Sequence, residues 1–228
     1  MGNFMSQLKW PLSHIDDRSF GGYRVLFVMA AEAEYGVHLQ SMIQPLFLGI
    51  GPVEAAVGMG VALQGLSYES KLPDLVVSLG SAGSRNLPLA QVFQVSSVSW
   101  RDIDASVLGF PKGITPLLDL PAEITLPTPL KNLPVARLST GSNIVSGQGY
   151  ETIDAEMVDM ETFAILRACQ QFSVQLVGLR GISDGKEDLE RYTDWTRLLP
   201  RIDENLADAL KQLENVLATG WIKSCKER

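Results

Sequence analysis

Short apolar runs recur along the chain and alternate with longer segments of mixed polarity. Continuous apolar runs of this length are typical of strands that are buried on both faces of a sheet. The strands predicted from these runs, and from moderate alternation, are in chain order Arg24–Ala30, Leu75–Leu79, Val92–Trp100, Val135–Ser139, Met157–Met160 and Val174–Gly181. A further apolar run at Ile43–Ile50 is interrupted by Pro45.

Helical spacing marks three of the longer segments. Apolar residues three or four positions apart predict helices at Val53–Tyr68 and Asp203–Leu217, and a third helix is predicted from about Glu161 to Phe172. Pro52 suits the first turn of the first helix, and Gly220 is a stop signal after the last. Strands that alternate with helices indicate an α/β protein with a largely parallel or mixed sheet.

The sequence predicts one domain over residues 21–228, preceded by an N-terminal extension over residues 1–20. The extension is polar, contains Pro11 and shows no clean period. Phe110–Pro134 contains six prolines and little periodicity, which predicts a loop with short strands at most. A folded chain of 228 residues buries roughly 70% of its unfolded surface, so neither a disulfide nor a metal is needed for stability.

The composition disfavours several classes of function. Nineteen Lys and Arg against 26 Asp and Glu give a net charge of −7, which disfavours binding to nucleic acid. No apolar run is long enough to cross a bilayer, so no membrane partner is expected. The two cysteines, Cys169 and Cys225, favour a reducing cytoplasm. The two histidines, His14 and His38, are too few for a histidine-rich zinc site.

Polar and glycine-rich sequence follows four of the apolar segments. Ligands of open α/β sheets bind beyond the carboxyl ends of the strands, so these four segments form the candidate site. They are Ala30–Glu34, Gly49–Gly51, Gly80–Ser84 and Arg180–Asp184. The backbone at Gly80–Gly83 allows close approach of a ligand, although a tight strand-to-helix turn explains the same glycines at least as well.

Three acids near the ends of predicted strands are candidates for acid–base chemistry. Glu34 follows a buried strand, where a carboxylate either stabilises a helix N-terminus or transfers protons. Asp184 ends a buried strand, where desolvation raises the pKa of a carboxyl group and suits it to act as a general acid. For Glu161, which follows Met160 in an apolar segment, a helix N-terminal charge is the simpler explanation.

Seven short motifs occur in one order and span about residues 23–217. They are Ala30–Glu34, Gly49–Ala56, Gly80–Gly83, Asp102–Asp104 with Gly109–Phe110, Ser139–Gly141, Val158–Glu161 and Arg180–Asp184. Together they resemble the 5′-methylthioadenosine/S-adenosylhomocysteine nucleosidases of the nucleoside phosphorylase/nucleosidase superfamily. Each motif alone is weak, but all seven in this order are specific.

The resemblance implies a three-layer α/β/α fold around a central mixed twisted sheet, in a chain that forms a homodimer. It implies hydrolysis of the N-glycosidic bond of methylthioadenosine, S-adenosylhomocysteine or a related adenine nucleoside. The products are adenine and a 5-thioribose. The resemblance implies no metal and no organic cofactor, and a small nucleoside as the partner.

The resemblance also implies roles for individual residues. Glu34 matches the acid that activates water, and Asp184 matches the acid that protonates N7 of the leaving adenine. Glu161 matches the acid that bonds the ribose hydroxyls. The other implied substrate-binding residues are Ser81, Ala82 and Gly83 beside the ribose, Ile144 at the base, Met160 on the sugar, Arg180 near the acids, and Ser183 supporting Asp184.

The chain departs from the family pattern at several positions. Ile144 stands where an aromatic residue usually stacks on the base, and loss of that stacking is worth about 0.5–1.5 kcal/mol. Arg101 stands where a His is usual, and Asp159 where a Glu is usual. The proline-rich segment between Gly109 and Thr140 lacks the usual helix.

Three alternative functions remain open from the sequence. A nucleoside phosphorylase of the same superfamily would need cations for phosphate, with Arg85 and Arg101 as the candidates. A hydrolase for another nucleoside, such as futalosine, is compatible with Ile144 and the altered loop. The third alternative is a binding protein without catalytic activity. In such a protein one or more of the catalytic acids is expected to be missing, whereas Glu34, Glu161 and Asp184 are all present.

Overall fold

A computed structural model describes residues 19–185 and 187–222, and an eight-stranded sheet lies at its centre. The strands are β1 (Val25–Met29), β2 (Leu46–Phe47), β3 (Leu75–Gly83), β4 (Val92–Trp100), β5 (Glu123–Thr125), β6 (Val135–Thr140), β7 (Met157–Asp159) and β8 (Gln175–Asp184). All six predicted strands are confirmed, and the interrupted run at Ile43–Ile50 contains the short β2.

Helices connect most of the strands. They are α1 (Val37–Gln40), α2 (Pro52–Tyr68), α3 (Thr162–Gln171), α4 (Tyr192–Thr196) and α5 (Leu199–Ala218), with 3₁₀ turns at Glu32–Glu34, Ser106–Leu108 and Gly147–Thr152. The three predicted helices are α2, α3 and α5. The sequence missed α1 and α4 because helices of four and five residues are too short to show a period.

The sheet mixes parallel and antiparallel pairs. Strands β2, β1, β3 and β8 are parallel neighbours, whereas β8 and β4 pair in the antiparallel sense. Strand β4 runs parallel to β6, β6 runs parallel to β7, and β7 meets β3 again where Val158 pairs with Gly83. Five strands, β3, β8, β4, β6 and β7, therefore form a closed ring at one side of the sheet.

Two apolar clusters cover the two faces of the sheet. Along β1, Leu26 and Val28 face the cluster that contains α2 and α3, whereas Phe27 and Met29 face the cluster that contains α1 and α5. Side chains of a strand alternate between its faces, so a continuous apolar run needs a helical layer on each side. The resulting order of helix, sheet and helix confirms the predicted three-layer α/β/α class with a mixed sheet.

A buried carboxylate on α5 holds the segment that follows the first strand. Asp203 accepts hydrogen bonds from the backbone N–H groups of Gly36, His38 and Leu39, at 3.1, 2.9 and 3.1 Å. These N–H groups lie at the start of α1, where a helix has no internal acceptors for them. Because Glu34 lies only two residues before Gly36, this contact between α5 and α1 fixes the position of Glu34.

The predicted N-terminal extension lies outside the described residues, apart from Ser19 and Phe20. The Phe20 ring packs edge-on against Phe27, with ring centroids 5.0 Å apart. His14 and Cys225 also lie outside the described part of the chain. None of the helices in the described ranges is long and apolar enough to span a membrane.

Candidate active site

A cavity of about 660 Å³ opens at the carboxyl ends of β1, β3 and β8. This is the end of the sheet at which the sequence placed the site. Nine of the ten predicted site residues line the cavity, namely Glu34, Ser81, Ala82, Gly83, Ile144, Met160, Glu161, Ser183 and Asp184. The parallel pairing of β3 with β8 brings the last residues of both strands to one wall, since Gly83 is the register partner of Asp184.

Glu34 is buried at the end of the 3₁₀ turn that follows β1. Its Oε1 atom accepts two hydrogen bonds from Ser81, one from the backbone N–H and one from the hydroxyl, each at 2.7 Å. Burial raises the pKa of Glu34 above its ordinary value, and the Ser81 donors and the charge of Arg180 oppose that rise. A Cβ atom at Gly80 would lie only 3.2 Å from Oε1. A side chain at this position of β3 would therefore crowd the Glu34 carboxylate.

Glu161 also lines the cavity and lies immediately before α3. Its Oε1 atom accepts a hydrogen bond of 2.8 Å from the backbone N–H of Gly51. Burial, together with repulsion from Asp159, raises the pKa of Glu161 to about 7. Glu161 therefore changes its charge near neutral pH, unlike an exposed glutamate.

Arg180 is the one predicted site residue that does not line the cavity; it lies behind the cavity wall. Its guanidinium group forms an ion pair of 3.2 Å with Asp159 and donates to the hydroxyls of Ser78 and Thr162, at 2.9 and 2.7 Å. It also donates to the carbonyl oxygen of Ser78. These protein groups occupy the donors of Arg180, and Asp159 is the one acid among them.

Asp184 ends β8 and is partly buried. The Ser183 hydroxyl donates a hydrogen bond of 2.6 Å to its Oδ2 atom. Burial raises the pKa of Asp184, and the Ser183 hydrogen bond opposes that rise. The Tyr150 hydroxyl lies beside the same strand end, where a Cβ atom at Gly83 would be 2.4 Å from it.

Several residues of the cavity wall were missed by the sequence analysis. They are Leu189–Tyr192 and Trp195, together with Asp159, which the sequence analysis noted only as a departure from the family pattern. In the segment after Asp184, apolar residues recur with neither helical nor strand spacing, so the pattern did not predict an element or a site there. The aromatic pair Tyr192 and Trp195 in an otherwise polar stretch is the feature that could have drawn attention to it.

The two candidate phosphate ligands are placed differently. Arg85 is exposed at the surface and pairs with Glu151 at 4.0 Å. Arg101 lines the cavity, but its terminal nitrogens donate to the carbonyl oxygens of Ser139, Asp159 and Asn143. Within residues 19–185 and 187–222, no group of three or more His, Cys, Asp or Glu side chains is placed to hold a metal ion.

The chain is similar in sequence to known proteins. Residues 137–218 match the model of the phosphorylase superfamily. A 5′-methylthioadenosine/S-adenosylhomocysteine nucleosidase of Actinobacillus succinogenes is 29% identical over 154 residues, which cover 60% of this chain. The match spans 65% of that relative, just under two thirds of its length.

Solved structures share the fold. The nucleosidase of Neisseria meningitidis in complex with methylthio-immucillin-A has a TM-score of 0.67 at 20% identity, covering 86% of this chain and 98% of that one. The futalosine hydrolase of Helicobacter pylori has a TM-score of 0.65 at 17% identity, covering 85% and 96%. Residues 137–218 thus resemble the phosphorylase superfamily, and the chain is similar in sequence to 5′-methylthioadenosine/S-adenosylhomocysteine nucleosidases.

Proposed function

We propose that this protein hydrolyses the N-glycosidic bond of 5′-methylthioadenosine, S-adenosylhomocysteine or a related adenine nucleoside, and releases adenine. The observation that carries the proposal is a pair of carboxyl groups with raised pKa values, Glu34 and Asp184, on the walls of one cavity. The named relatives act on these nucleosides, and no metal or organic cofactor is required by the mechanism below.

Asp184 is the proposed general acid. Breaking the N-glycosidic bond develops negative charge on the base, and a proton delivered to N7 neutralises it. A carboxyl group whose pKa is raised by burial keeps its proton at a higher pH and can supply it. The Ser183 hydroxyl, bonded to Oδ2, fixes the plane of the carboxyl group.

Glu34 is the proposed base that activates water. The same bond cleavage develops positive charge on the sugar, so a carboxylate nearby stabilises the transition state and accepts a proton from the attacking water. Ser81 donates its backbone N–H and its hydroxyl hydrogen to Oε1 of Glu34 and makes no hydrogen bond to Oε2. The second oxygen is therefore the one available to water.

Glu161 is the proposed acceptor for the ribose hydroxyls, with Met160 packed on the sugar. Gly51 bonds one carboxylate oxygen of Glu161 and holds the side chain at the cavity wall. Arg180 contributes through its ion pair with Asp159, and its positive charge partly offsets the repulsion that Asp159 exerts on Glu161. Ser81, Ala82 and Gly83 form the strand end beside the sugar.

The placement of the arginines favours water over phosphate as the nucleophile. Phosphate binding uses free, convergent cationic donors. Arg85 is outside the cavity, and the terminal nitrogens of Arg101 are bonded to backbone carbonyls. A phosphorylase would have to break those contacts, whereas a hydrolase can keep them.

Futalosine hydrolysis is the second candidate. Ile144 lies at the cavity mouth and is 69% exposed, so it offers no aromatic face to an adenine. A base pocket without a stacking aromatic ring is expected to be less specific for adenine over other bases. A futalosine hydrolase shares this fold with nearly the same TM-score as the named nucleosidase.

We infer that the chain forms a homodimer through α2. Three valines at helical spacing on this helix, Val53, Val57 and Val61, are 70, 54 and 51% exposed and form one apolar stripe. Ile50, which precedes the helix and is 58% exposed, lines the cavity. A contiguous exposed apolar surface of this kind favours a protein–protein contact. The site would then lie beside the dimer contact, because Ile50 also lines the cavity.

We further propose that the chain acts in the cytoplasm as a single nucleosidase domain over residues 21–228. Cys169, the described cysteine, is buried and has a free thiol, which fits a reducing compartment. Cell fractionation with an antibody to the chain would test the location, and recovery from an oxidising compartment would contradict it.

The first prediction concerns the reaction itself. Purified protein is expected to release adenine from methylthioadenosine at equal rates with and without phosphate, as measured by chromatography of the base. Release only with phosphate would change the reaction to phosphorolysis. No release from methylthioadenosine or S-adenosylhomocysteine, with release of the base from futalosine, would transfer the assignment to the second candidate.

The second prediction concerns the two acids. Asp184→Asn and Glu34→Gln are each expected to lower kcat by at least ~100-fold, because each removes one proton transfer. The matched control is Asp208→Asn, which changes an exposed acid on α5 and is expected to leave kcat unchanged. A near-wild-type kcat in either active-site variant would refute the role of that residue.

The third prediction concerns the oligomeric state. Val57→Glu places a charge in the middle of the apolar stripe and is expected to convert a dimer into a monomer in light scattering. The control Val37→Glu changes a more exposed valine on α1, 73% exposed against 54% for Val57, and is expected to leave the dimer intact. A monomeric wild type would contradict the homodimer.

The fourth prediction is that Glu161 lowers stability as the pH rises. Its pKa in the folded protein, about 7, is above the unfolded value of 4.5, so the stability that it contributes below pH 4.5 is lost as the pH rises through 7. The loss is on the order of 3 kcal/mol at pH 8. Glu161→Gln, which cannot ionise, is expected to unfold at higher denaturant concentration than wild type at pH 8, with a much smaller gain at pH 5.

Any effect on packing of the amide introduced by Glu161→Gln is the same at both pH values. The difference between the stability changes at pH 5 and pH 8 therefore reports on the charge of Glu161 alone. The control Glu214→Gln, on the exposed face of α5, is expected to change the free energy of unfolding by less than ~0.5 kcal/mol at both pH values. An equal change for Glu161→Gln at pH 5 and pH 8 would show that the Glu161 carboxylate carries no such penalty.

A further inference from the structure

Trp195 on α4 reaches across the cavity wall to the strand end that holds Glu34. Its indole Nε1 atom is 2.9 Å from the Ser81 hydroxyl oxygen. The ring stands edge-on to Tyr192, with centroids 5.3 Å apart, and packs against the apolar cluster that contains α5. The indole is thus held on two sides while its N–H group points at Ser81.

The chemistry of the three groups fixes the direction of the hydrogen bonds. An indole N–H only donates, so the Ser81 oxygen must accept from Trp195. The single hydroxyl hydrogen of Ser81 is then free to be donated to Glu34 Oε1, 2.7 Å away. A chain of donors runs from Trp195 through Ser81 to Glu34, and each bond in such a chain polarises the next.

We propose that Trp195 is a positioning residue for the base of the reaction: its indole N–H orients the Ser81 hydroxyl so that Ser81 donates to Oε1 of Glu34 and leaves Oε2 to face the attacking water. This inference rests on the proposed nucleosidase function. Trp195 acts through Ser81 and transfers no proton itself. Without the indole N–H, the Ser81 hydroxyl can turn to water, and Glu34 loses the bond that selects which oxygen faces the nucleophile.

The consequence is a change in kcat and not in KM. Phenylalanine at position 195 keeps an apolar ring at the cavity wall and removes the N–H donor together with part of the ring volume, a loss that the Trp100→Phe control shares. Loss of one neutral hydrogen bond predicts a fall in kcat of about 5- to 10-fold for Trp195→Phe. Ser81→Ala also removes the hydroxyl donated to a charged group, so a larger fall of about 30-fold is expected.

A double-mutant cycle distinguishes action through Ser81 from an independent effect. If Trp195 acts through the Ser81 hydroxyl, the variant with both changes is expected to match Ser81→Ala within about 2-fold in kcat, because the contact is already lost. Independent effects would multiply to more than ~100-fold and would overturn the proposal. A rise in KM with unchanged kcat in Trp195→Phe would also overturn it.

Trp100→Phe is the matched control for removing an indole N–H. The Trp100 Nε1 atom has no hydrogen-bond partner among the described residues, and its ring stacks on Phe163, a contact that phenylalanine can retain. Unchanged kcat is expected. If wild-type protein releases no base from any nucleoside, the proposed function and the role of Trp195 fail together; an active wild type with an additive cycle refutes Trp195 alone.

The hydrogen-bond chain has a readout that does not depend on activity. The indole N–H resonances of Trp195 and Trp100 are assigned in ¹H–¹⁵N spectra by their loss in the two phenylalanine variants. The Trp195 proton is expected to move upfield in Ser81→Ala and to shift in Glu34→Gln, while the Trp100 proton stays in place. An unmoved Trp195 resonance in Ser81→Ala would show that the chain does not form.

Discussion

The site depends on the burial of several negative charges beside one positive charge. Glu34, Asp159 and Glu161 are 7, 7 and 8% exposed, and Arg180 is the one basic side chain that is fully buried in the described part of the chain. A buried charge without a partner is strongly unfavourable. Arg180 pairs directly with Asp159 alone. Glu34 and Glu161 therefore rely on backbone and hydroxyl donors, and burial raises the pKa values of both.

The sheet brings these groups together through one pair of strands. Strands β3 and β8 stay in parallel register from Leu75 and Gln175 up to Ala82 and Ile182, and the register shifts before Gly83 pairs with Asp184. The irregularity lies at the cavity wall, where a shift in register changes the direction of the side chains. Because Ser81 is on one strand and Asp184 on the other, the pairing places the support for Glu34 and the proposed acid on the same wall.

Close approach to the acids requires glycine at two positions of β3. A Cβ atom at Gly80 would lie 3.2 Å from Glu34 Oε1, and one at Gly83 would lie 2.4 Å from the Tyr150 hydroxyl. The second distance is far shorter than any real contact, so a side chain there would displace Tyr150. The glycines were visible in the sequence, but their cause is the pair of side chains that approach from distant segments. A tight turn, the simpler explanation from sequence, is wrong at both positions, since β3 continues through Gly83.

The sequence by itself determined the strands and the long helices, because apolar runs and helical spacing report directly on which faces are buried. It also placed Glu34, Glu161 and Asp184 at strand ends, and the order of the motifs indicated the resemblance to the nucleosidases. The tertiary structure alone decided that Arg180 supports Asp159 from behind the wall and that Trp195 contacts Ser81. The first contact joins residues that are 21 positions apart in the sequence, and the second joins residues that are 114 positions apart. No local pattern encodes them, because they arise only when the whole sheet and the helices on its faces have assembled.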